Sequence, residues 1–497
     1  MIENIKPLIA LLTLLFLFSA WVKKNNAFFP PNLLARFFSI TTFLYLFAFL
    51  IPNYWIFILI TFIFLKSQNQ LKEIEKICLF FFLLPLLPLL TKEIPGFSGI
   101  RFIADITYPR ALTLSLLLPI YLTSNSKSPP LLRLPSAKIL IFYLTLLFIL
   151  GTRENTLTNS MRTLLYLFID IFIPYFTISR SIKNTEDLQK VLFSIFYSML
   201  FICIIAIFET LKGWHLFYSL AHSLNIGHSL GSYGTRESLL RATAIFSSPI
   251  SLGYATVIGL GSGIAISSQI KNKRFLFYLF FILSLALLAT LSRGPWVGAF
   301  CLITIYGITG KNKSMFIGRA IQALIILSPI LFFTSVGDKF LGLLPFIQDS
   351  SSSAHSAGSV SYRQELFTNA VIVIKRNLMF GSINYIETPE MQSMMQGQGI
   401  IDIVNSYLRI ALSHGVIGLL LFCSFFINLI FRLYSKLSKP ALSPYNKQLG
   451  RALLATLISI LIIIATVSSI DTISLWYWSF AAIISSFLTI KPTKESS

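Results

Sequence analysis

Residues 189–209 read QKVLFSIFYSMLFICIIAIFE, and no charged residue lies between Lys190 and Glu209. A helix needs roughly 20 apolar residues to cross the hydrocarbon core of a bilayer, and this run has that length. Comparable blocks recur along the chain, which predicts many membrane-spanning helices. They are 6–22, 35–50, 76–90, 107–122, 138–150, 162–178, 189–209, 249–268, 274–291, 295–309, 315–334, 407–431, 452–469 and 472–490, with a shorter block, 53–65, that follows 35–50 through Pro52.

The composition agrees with these blocks. Of the 497 residues, 55% are hydrophobic and 12% are charged, whereas soluble domains carry about 25% charged residues. We therefore predict an all-α fold, a polytopic transmembrane helical bundle of about 12–15 helices. Cys78, Cys203, Cys301 and Cys423 lie inside apolar segments and are not spaced as pairs, so neither a disulfide framework nor a zinc site is expected.

The net charge of +21 has a topological explanation. If the segments alternate across the membrane with 269–274 in the cytoplasm, cytoplasmic segments hold 25 of the 40 basic residues and 5 of the 19 acidic ones. This is the positive-inside pattern of plasma-membrane proteins, and it argues against nucleic-acid binding. The C-terminus is then inside, the N-terminus is outside, and 6–22 is interpreted as a retained helix.

Four regions follow from this topology. Residues 1–190 form N-terminal transmembrane helices joined by short loops, and 191–334 form central helices. Residues 335–406 form one large extracytoplasmic loop, and 407–497 form the C-terminal helices. The loop contains an amphipathic pattern from Ser361, which predicts a helix that lies on the membrane or caps a cavity. Its apolar positions are Leu366, Phe367, Ala370, Val371, Ile374 and Leu378, and its polar positions are Arg363, Gln364, Lys375 and Arg376.

Three motifs lie at the predicted outer ends of helices. The first runs from Arg241 through Phe246 to Pro249 and Gly253, with Pro249 in the first turn of a helix. The second, Thr290-Leu-Ser292-Arg293-Gly294-Pro295, is a sharp turn in which Ser292 can cap the next helix. The third begins at Asp402 and continues through Val404, Asn405 and Tyr407 to Gly415 and Gly418. Asn405 is expected to cap a helix and Tyr407 to lie at headgroup level.

Arg241 and Arg293 have two interpretations. They can anchor the chain at the interface, or their guanidinium groups can bind the phosphates of a phosphorylated lipid. Asp170 lies within an apolar block and is either a functional acid or the partner of a neighbouring polar group. Gly259, Gly261 and Gly263 favour close helix packing over a phosphate loop.

In their order, spacing and topology the three motifs resemble the O-antigen ligase and polymerase family of bacterial envelope proteins. The resemblance covers roughly residues 180–435. It implies transfer of a glycan from an undecaprenyl-diphosphate carrier, with Arg241 and Arg293 holding the diphosphate. We add Arg363 to that set because it opens the amphipathic helix. Membrane lipids, a flippase and a chain-length regulator are the other partners that this resemblance suggests.

One position departs from the family pattern. Ligases of the family usually carry a histidine directly before the Asn of the third motif, where this chain has Val404. Valine cannot accept a proton, which favours the polymerase branch. Asp402 is then the first candidate for a catalytic base, followed by Glu365 and Glu390. No cofactor or metal is expected.

The function predicted from the sequence is therefore a glycosyltransferase of the inner membrane that polymerises or transfers surface polysaccharide, either O-antigen or exopolysaccharide. The alternatives are an O-antigen ligase acting on lipid A-core, a flippase or transporter of lipid-linked oligosaccharide, and an inactive relative that acts in assembly. The flippase is disfavoured because the sequence shows no pseudo-symmetric halves.

Overall fold

The computed structural model describes residues 2–25, 29–51, 53–88, 90–97, 99–123, 129–153, 156–224, 234–236, 239–310, 313–314, 318, 354–396, 399–440, 442–468 and 472–491. At Ile2, at Arg236 and over 354–360 it describes the backbone alone. The predicted helix 315–334 and the first part of the large loop, up to residue 353, fall almost wholly outside the described residues.

The fold is all-α, as predicted, and most apolar blocks of the sequence form helices. The α-helices are α1 (Ile2–Asn25), α2 (Pro31–Leu50), α3 (Tyr54–Lys66), α4 (Glu73–Leu83), α5 (Tyr108–Leu112), α6 (Leu118–Thr123), α7 (Ala137–Gly151), α8 (Leu157–Leu167), α9 (Ile173–Ser181), α10 (Thr185–Lys212), α11 (Tyr218–Ser223), α12 (Pro249–Ile266), α13 (Lys273–Ala289), α14 (Arg293–Ile308), α15 (Ala354–Arg376), α16 (Pro389–Gln392), α17 (Ser406–Leu437), α18 (Pro444–Ile464) and α19 (Ile473–Thr489). Single π-helical turns, Thr113–Leu117 and Phe168–Phe172, join α5 to α6 and α8 to α9.

Seven helices in the described part of the chain are long and apolar enough to cross a membrane. Three more, Tyr54–Lys66, Ala137–Gly151 and Ile473–Thr489, are apolar but shorter. Their number and composition make the chain a multi-pass membrane protein.

The central helices pack closely where glycine replaces a side chain. A Cβ at Gly259 of α12 would lie 2.8 Å from Met199 Cβ of α10, and one at Gly261 would overlap Thr456 Oγ1 of α18. α10 and α18 therefore approach α12 more closely than a residue larger than glycine would permit at positions 259 and 261. The packing interpretation of this glycine run is confirmed.

A β-hairpin stands where the sequence analysis expected only a short loop. Strands β1 (Thr91–Pro95) and β2 (Phe102–Thr107) pair antiparallel. Arg162 of α8 binds the hairpin, since its guanidinium donates to Phe102 O at 2.6 Å and Ile103 O at 3.1 Å. A second short ladder, β3 (Thr235–Arg236) with β4 (Leu239–Leu240), leads into the first motif.

The large loop has an apolar core of its own. Leu366, Ala370 and Val373 of α15 pack with Met391 and Met394, and with Leu408 and Leu412 of α17. The buried face of α15 differs from the predicted one, because Phe367 is exposed and Leu378 lies exposed beyond the end of the helix. Val373 takes the core position that the pattern gave to Val371.

Candidate functional site

The first and second motifs are in direct contact. Arg241 Nη2 donates to Ser292 Oγ at 2.9 Å, and Arg241 Nε donates to Thr290 O at 3.3 Å. The backbone N–H of Ala242 donates to Ala289 O at 3.0 Å. Arg241 is therefore held against the turn that carries Arg293, and both arginines are half-buried.

The helices that start at these motifs are packed through glycine. A Cβ at Gly253 would lie 2.7 Å from Pro295 Cβ, so the first turns of α12 and α14 touch. Pro249 is the first residue of α12, where its missing N–H costs nothing. Ser248 caps that helix by accepting from the Ser251 N–H at 3.1 Å.

Ser292 differs from its predicted role. It occupies the N-cap position of α14 but makes no side-chain cap hydrogen bond. Its hydroxyl instead donates to Thr290 O at 3.1 Å and accepts from Arg241. The competing partner is a charged guanidinium, whose hydrogen bonds are stronger than those of a backbone amide.

The third motif joins the same region through the turn that follows α18. Ser406 Oγ donates to Val467 O at 2.9 Å, and Ser468 Oγ donates to Asp402 Oδ1. A Cβ at Gly294 would lie 2.7 Å from Thr466 Oγ1 in that turn. Residues 466–468 are thus contacted by both the second and the third motif.

Asn405 caps α17 as predicted. Its Oδ1 accepts from the N–H groups of Tyr407 at 2.9 Å and Leu408 at 3.1 Å. The Tyr407 hydroxyl donates to Leu461 O at 2.9 Å, so this half-buried ring is fixed against α18. Three helices, α12, α14 and α17, therefore begin at the three motifs, and helix N-termini attract anions.

Two comparisons with known proteins bear on this cluster. Residues 278–423 match the family model described as O-antigen ligase. An O-antigen polymerase of Salmonella muenchen is 24% identical over 327 residues, which cover 64% of this chain and 79% of that protein. These matches confirm the predicted resemblance to the O-antigen ligase and polymerase family. The family match includes Arg293 and the whole third motif, whereas Arg241 precedes it.

The candidate bases have different surroundings in the structure. Asp402 is exposed, and its backbone carbonyl accepts from the Tyr362 hydroxyl of α15 at 3.0 Å. Glu390 pairs with Arg376, whose hydrogen bonds lower the pKa of that carboxyl. A lowered pKa makes Glu390 a weaker proton acceptor than an ordinary carboxylate.

Arg363 and Glu365 are placed less favourably than Asp402. Both side chains are exposed on α15. Val404, at the position where ligases usually carry histidine, is half-buried and packs against the loop core. The structure thus brings Arg241, Arg293 and Asp402 into neighbouring elements, whereas Arg363 and Glu365 are exposed on the loop helix.

Asp170 has a structural partner, which was the second of its two interpretations. Arg110 Nη2 donates to Asp170 Oδ2 at 2.8 Å, and Arg110 Nε is 3.1 Å from both carboxylate oxygens. The same guanidinium donates to Asp105 O of the hairpin at 2.8 Å. This pair joins the hairpin to the bundle and has no contact with the motifs among the described residues.

Glu209 supports the site and was missed in the sequence. Its side chain is fully buried, and its carboxylate accepts from the N–H groups of Leu216 at 3.0 Å and Ala244 at 2.9 Å. His215 Nδ1 lies 3.1 Å from the same carboxylate. Ala244 has a φ of 49°, so Glu209 stabilises an unusual backbone within the first motif. The sequence feature that could have identified Glu209 is an acidic residue at the end of a long apolar run.

Proposed function

We propose that this protein is a polymerase-type glycosyltransferase that extends a surface polysaccharide, using a glycan donor linked to undecaprenyl diphosphate. The observation that carries the proposal is the contact of Arg241 with the Thr290–Ser292 turn, which holds it beside Arg293. Two half-buried arginines at one turn, next to helix N-termini, suit a diphosphate better than an uncharged ligand.

The reaction needs stabilisation of the leaving group. When the glycosidic bond to the carrier breaks, negative charge develops on the diphosphate oxygens. Fixed cations and amide dipoles that are already oriented stabilise that charge without reorganising. Arg241 is fixed by Ser292 and Thr290, which supports this role.

The other half of the reaction is removal of a proton from the acceptor hydroxyl. We assign this role to Asp402, whose carboxylate is oriented by Ser468 and lies three residues before the cap of α17. Glu365 is the second candidate, and Arg363 on the same loop helix is a further phosphate-binding candidate. We propose that the reaction needs no metal ion, since carboxylate and guanidinium groups together supply both functions.

The polymerase branch is favoured over the ligase branch by Val404. This side chain packs against the core of the loop and offers no proton acceptor. We further propose that the protein resides in the inner membrane with the large loop outside. A flippase would then deliver the donor and a chain-length regulator would control the product.

The decisive experiment compares Arg241→Ala and Arg293→Ala with Arg274→Ala in a deletion strain. Arg274 is exposed in the first turn of α13, and Thr290 caps the other end of that helix. We expect roughly 100-fold less polymer from the two motif variants, as for loss of one charge-stabilising group, and normal polymer from Arg274→Ala. Equal protein levels and unchanged product from both motif variants would contradict the proposed diphosphate site.

The carrier-linked material distinguishes the alternatives. Loss of a polymerase leaves single repeat units on the carrier, and loss of a ligase leaves long chains on it. Loss of a flippase leaves units on the cytoplasmic face. Assays of the purified protein with and without a chelator then test metal independence, which predicts equal rates.

A further inference from the structure

A polar cleft of about 430 Å³ lies at the end of α15, and its lining includes none of the residues assigned to the reaction. Its lining includes Arg153, Asn377, Ser382 and Asn384. It is built where the loop contacts an interruption of α17, and none of its residues takes part in the proposed chemistry.

The floor of the cleft is rigid because two stretches of backbone bind one another. Gly415 interrupts α17 with a φ of 68°. The loop occupies the gap, since Val416 N–H donates to Leu378 O at 2.8 Å and Ser382 N–H donates to Leu412 O at 2.9 Å. Gly381 lies so close that a Cβ would be 2.5 Å from Leu412 O.

Arg153 stabilises the same junction because its guanidinium group binds backbone carbonyl groups. Its Nη1 donates to Phe380 O at 3.1 Å and Gly381 O at 3.0 Å, and its Nη2 donates to Ser413 O at 3.1 Å. Burial lowers the pKa of this guanidinium. These bonds occupy most of its donors, so Arg153 serves mainly to shape the cleft.

The remaining lining offers uncharged hydrogen-bonding groups. The exposed amides of Asn377 and Asn384 have no hydrogen-bond partner in the described part of the chain, and each presents both a donor and an acceptor. We propose that this cleft binds the sugar hydroxyl groups of a glycan. A cleft lined by free amides, whose guanidinium is already bound to backbone carbonyl groups, matches such a ligand better than a phosphate or a cation.

The position of the cleft suits a glycan whose carrier end is bound at the three motifs. In this respect the inference rests on the proposed function. Ser406 of the third motif and Ser413 of the cleft floor lie on one helix, seven residues apart, which is about 10 Å along the axis. A carrier-linked oligosaccharide with its diphosphate at Arg241 and Arg293 can reach the cleft with its sugars. Either the incoming unit or the growing chain supplies such sugars.

Binding of a carrier-free glycan tests the cleft independently of catalysis. The probe is the repeat-unit oligosaccharide released from the host's own surface polysaccharide, added to the full-length protein in detergent. We expect Asn377→Ala combined with Asn384→Ala to weaken binding at least tenfold. Lys375→Ala, an exposed change two residues from Asn377, is the matched control and should bind normally. Unchanged binding by the double variant would overturn the proposal.

Measurements of activity distinguish whether the cleft binds the incoming unit or the growing chain. They also test the cleft proposal separately from the proposed function. A raised KM for single units at unchanged kcat assigns the cleft to the incoming unit, and shorter product chains assign it to the growing chain. Arg241→Ala should bind the free glycan normally while making roughly 100-fold less polymer. If Arg241→Ala remains active, the proposed function fails although the cleft proposal stands on the binding result.

Discussion

Glu209 shows how a single buried residue controls the first motif from outside it. Its carboxylate is placed by the last turns of α10, yet it accepts hydrogen bonds from Leu216 and Ala244, which belong to different segments. A buried carboxylate is stable only when such partners satisfy it. Glu209 therefore fixes the backbone that leads from Arg241 into α12.

Replacing Glu209 with alanine should destabilise the protein. The variant leaves two buried N–H groups without their acceptor, which we expect to cost about 3 kcal/mol. The thermal unfolding midpoint of the purified protein should fall, and polymer should be lost with it. Glu186→Ala on the same helix is the control, because its exposed pair with Lys190 is worth roughly 0.5 kcal/mol. Equal midpoints for Glu209→Ala and wild type would contradict this role.

Asp402 can be tested without disturbing its surroundings. In Asp402→Asn the amide oxygen still accepts from Ser468, but the side chain no longer acts as a base. We expect polymer formation to fall roughly 100-fold with little change in the unfolding midpoint. Glu365→Gln is the comparison, and near-normal activity is expected of it. The opposite result, an active Asp402→Asn with an inactive Glu365→Gln, would move the base to the loop helix.

At the scale of elements, the interruption of α17 joins the loop to the bundle. A continuous helix would satisfy its own peptide groups around Gly415, whereas here Leu378 O accepts from the Val416 N–H and the Ser382 N–H donates to Leu412 O. The positive φ and the contact with the loop backbone both require glycine. Gly415 of the third motif thus has a structural role in this chain.

Gly415→Ala should release this junction. The added Cβ would collide with Met379 O, and alanine disfavours a φ of 68°. We expect trypsin to cleave the variant faster after the exposed Lys375 and Arg376, which directly precede the loop segment 378–382 that binds at the interruption. Ser413→Ala is the control, because Ser413 contacts Arg153 through its carbonyl group alone. The same cleavage rate in Gly415→Ala and wild type would show that the interruption does not hold the loop.

At the scale of the whole molecule, the features predicted correctly from the sequence are those that depend on neighbouring residues. Uncharged runs such as 191–208 gave the helices, and Asn405 gave the start of α17, because apolar length and capping are properties of neighbouring residues. The role of Ser292 was wrong because its partner, Arg241, is 51 residues away. The hairpin of β1 and β2 was missed because its strands are short and contain Lys92, Glu93 and Asp105.

The sidedness of the bundle is the remaining prediction, and it rests on charge. Moving basic loops across a membrane is unfavourable, so the segments that hold 25 of the 40 Lys and Arg residues should stay in the cytoplasm. In a variant without its four native cysteines, Gln364→Cys on the loop helix should react with a membrane-impermeant maleimide before lysis. Lys273→Cys, exposed at the start of α13, should react only after lysis. If the two positions exchange their behaviour, the motifs face the cytoplasm, and an extracytoplasmic polymerase is ruled out whatever the chemistry of Arg241 and Arg293.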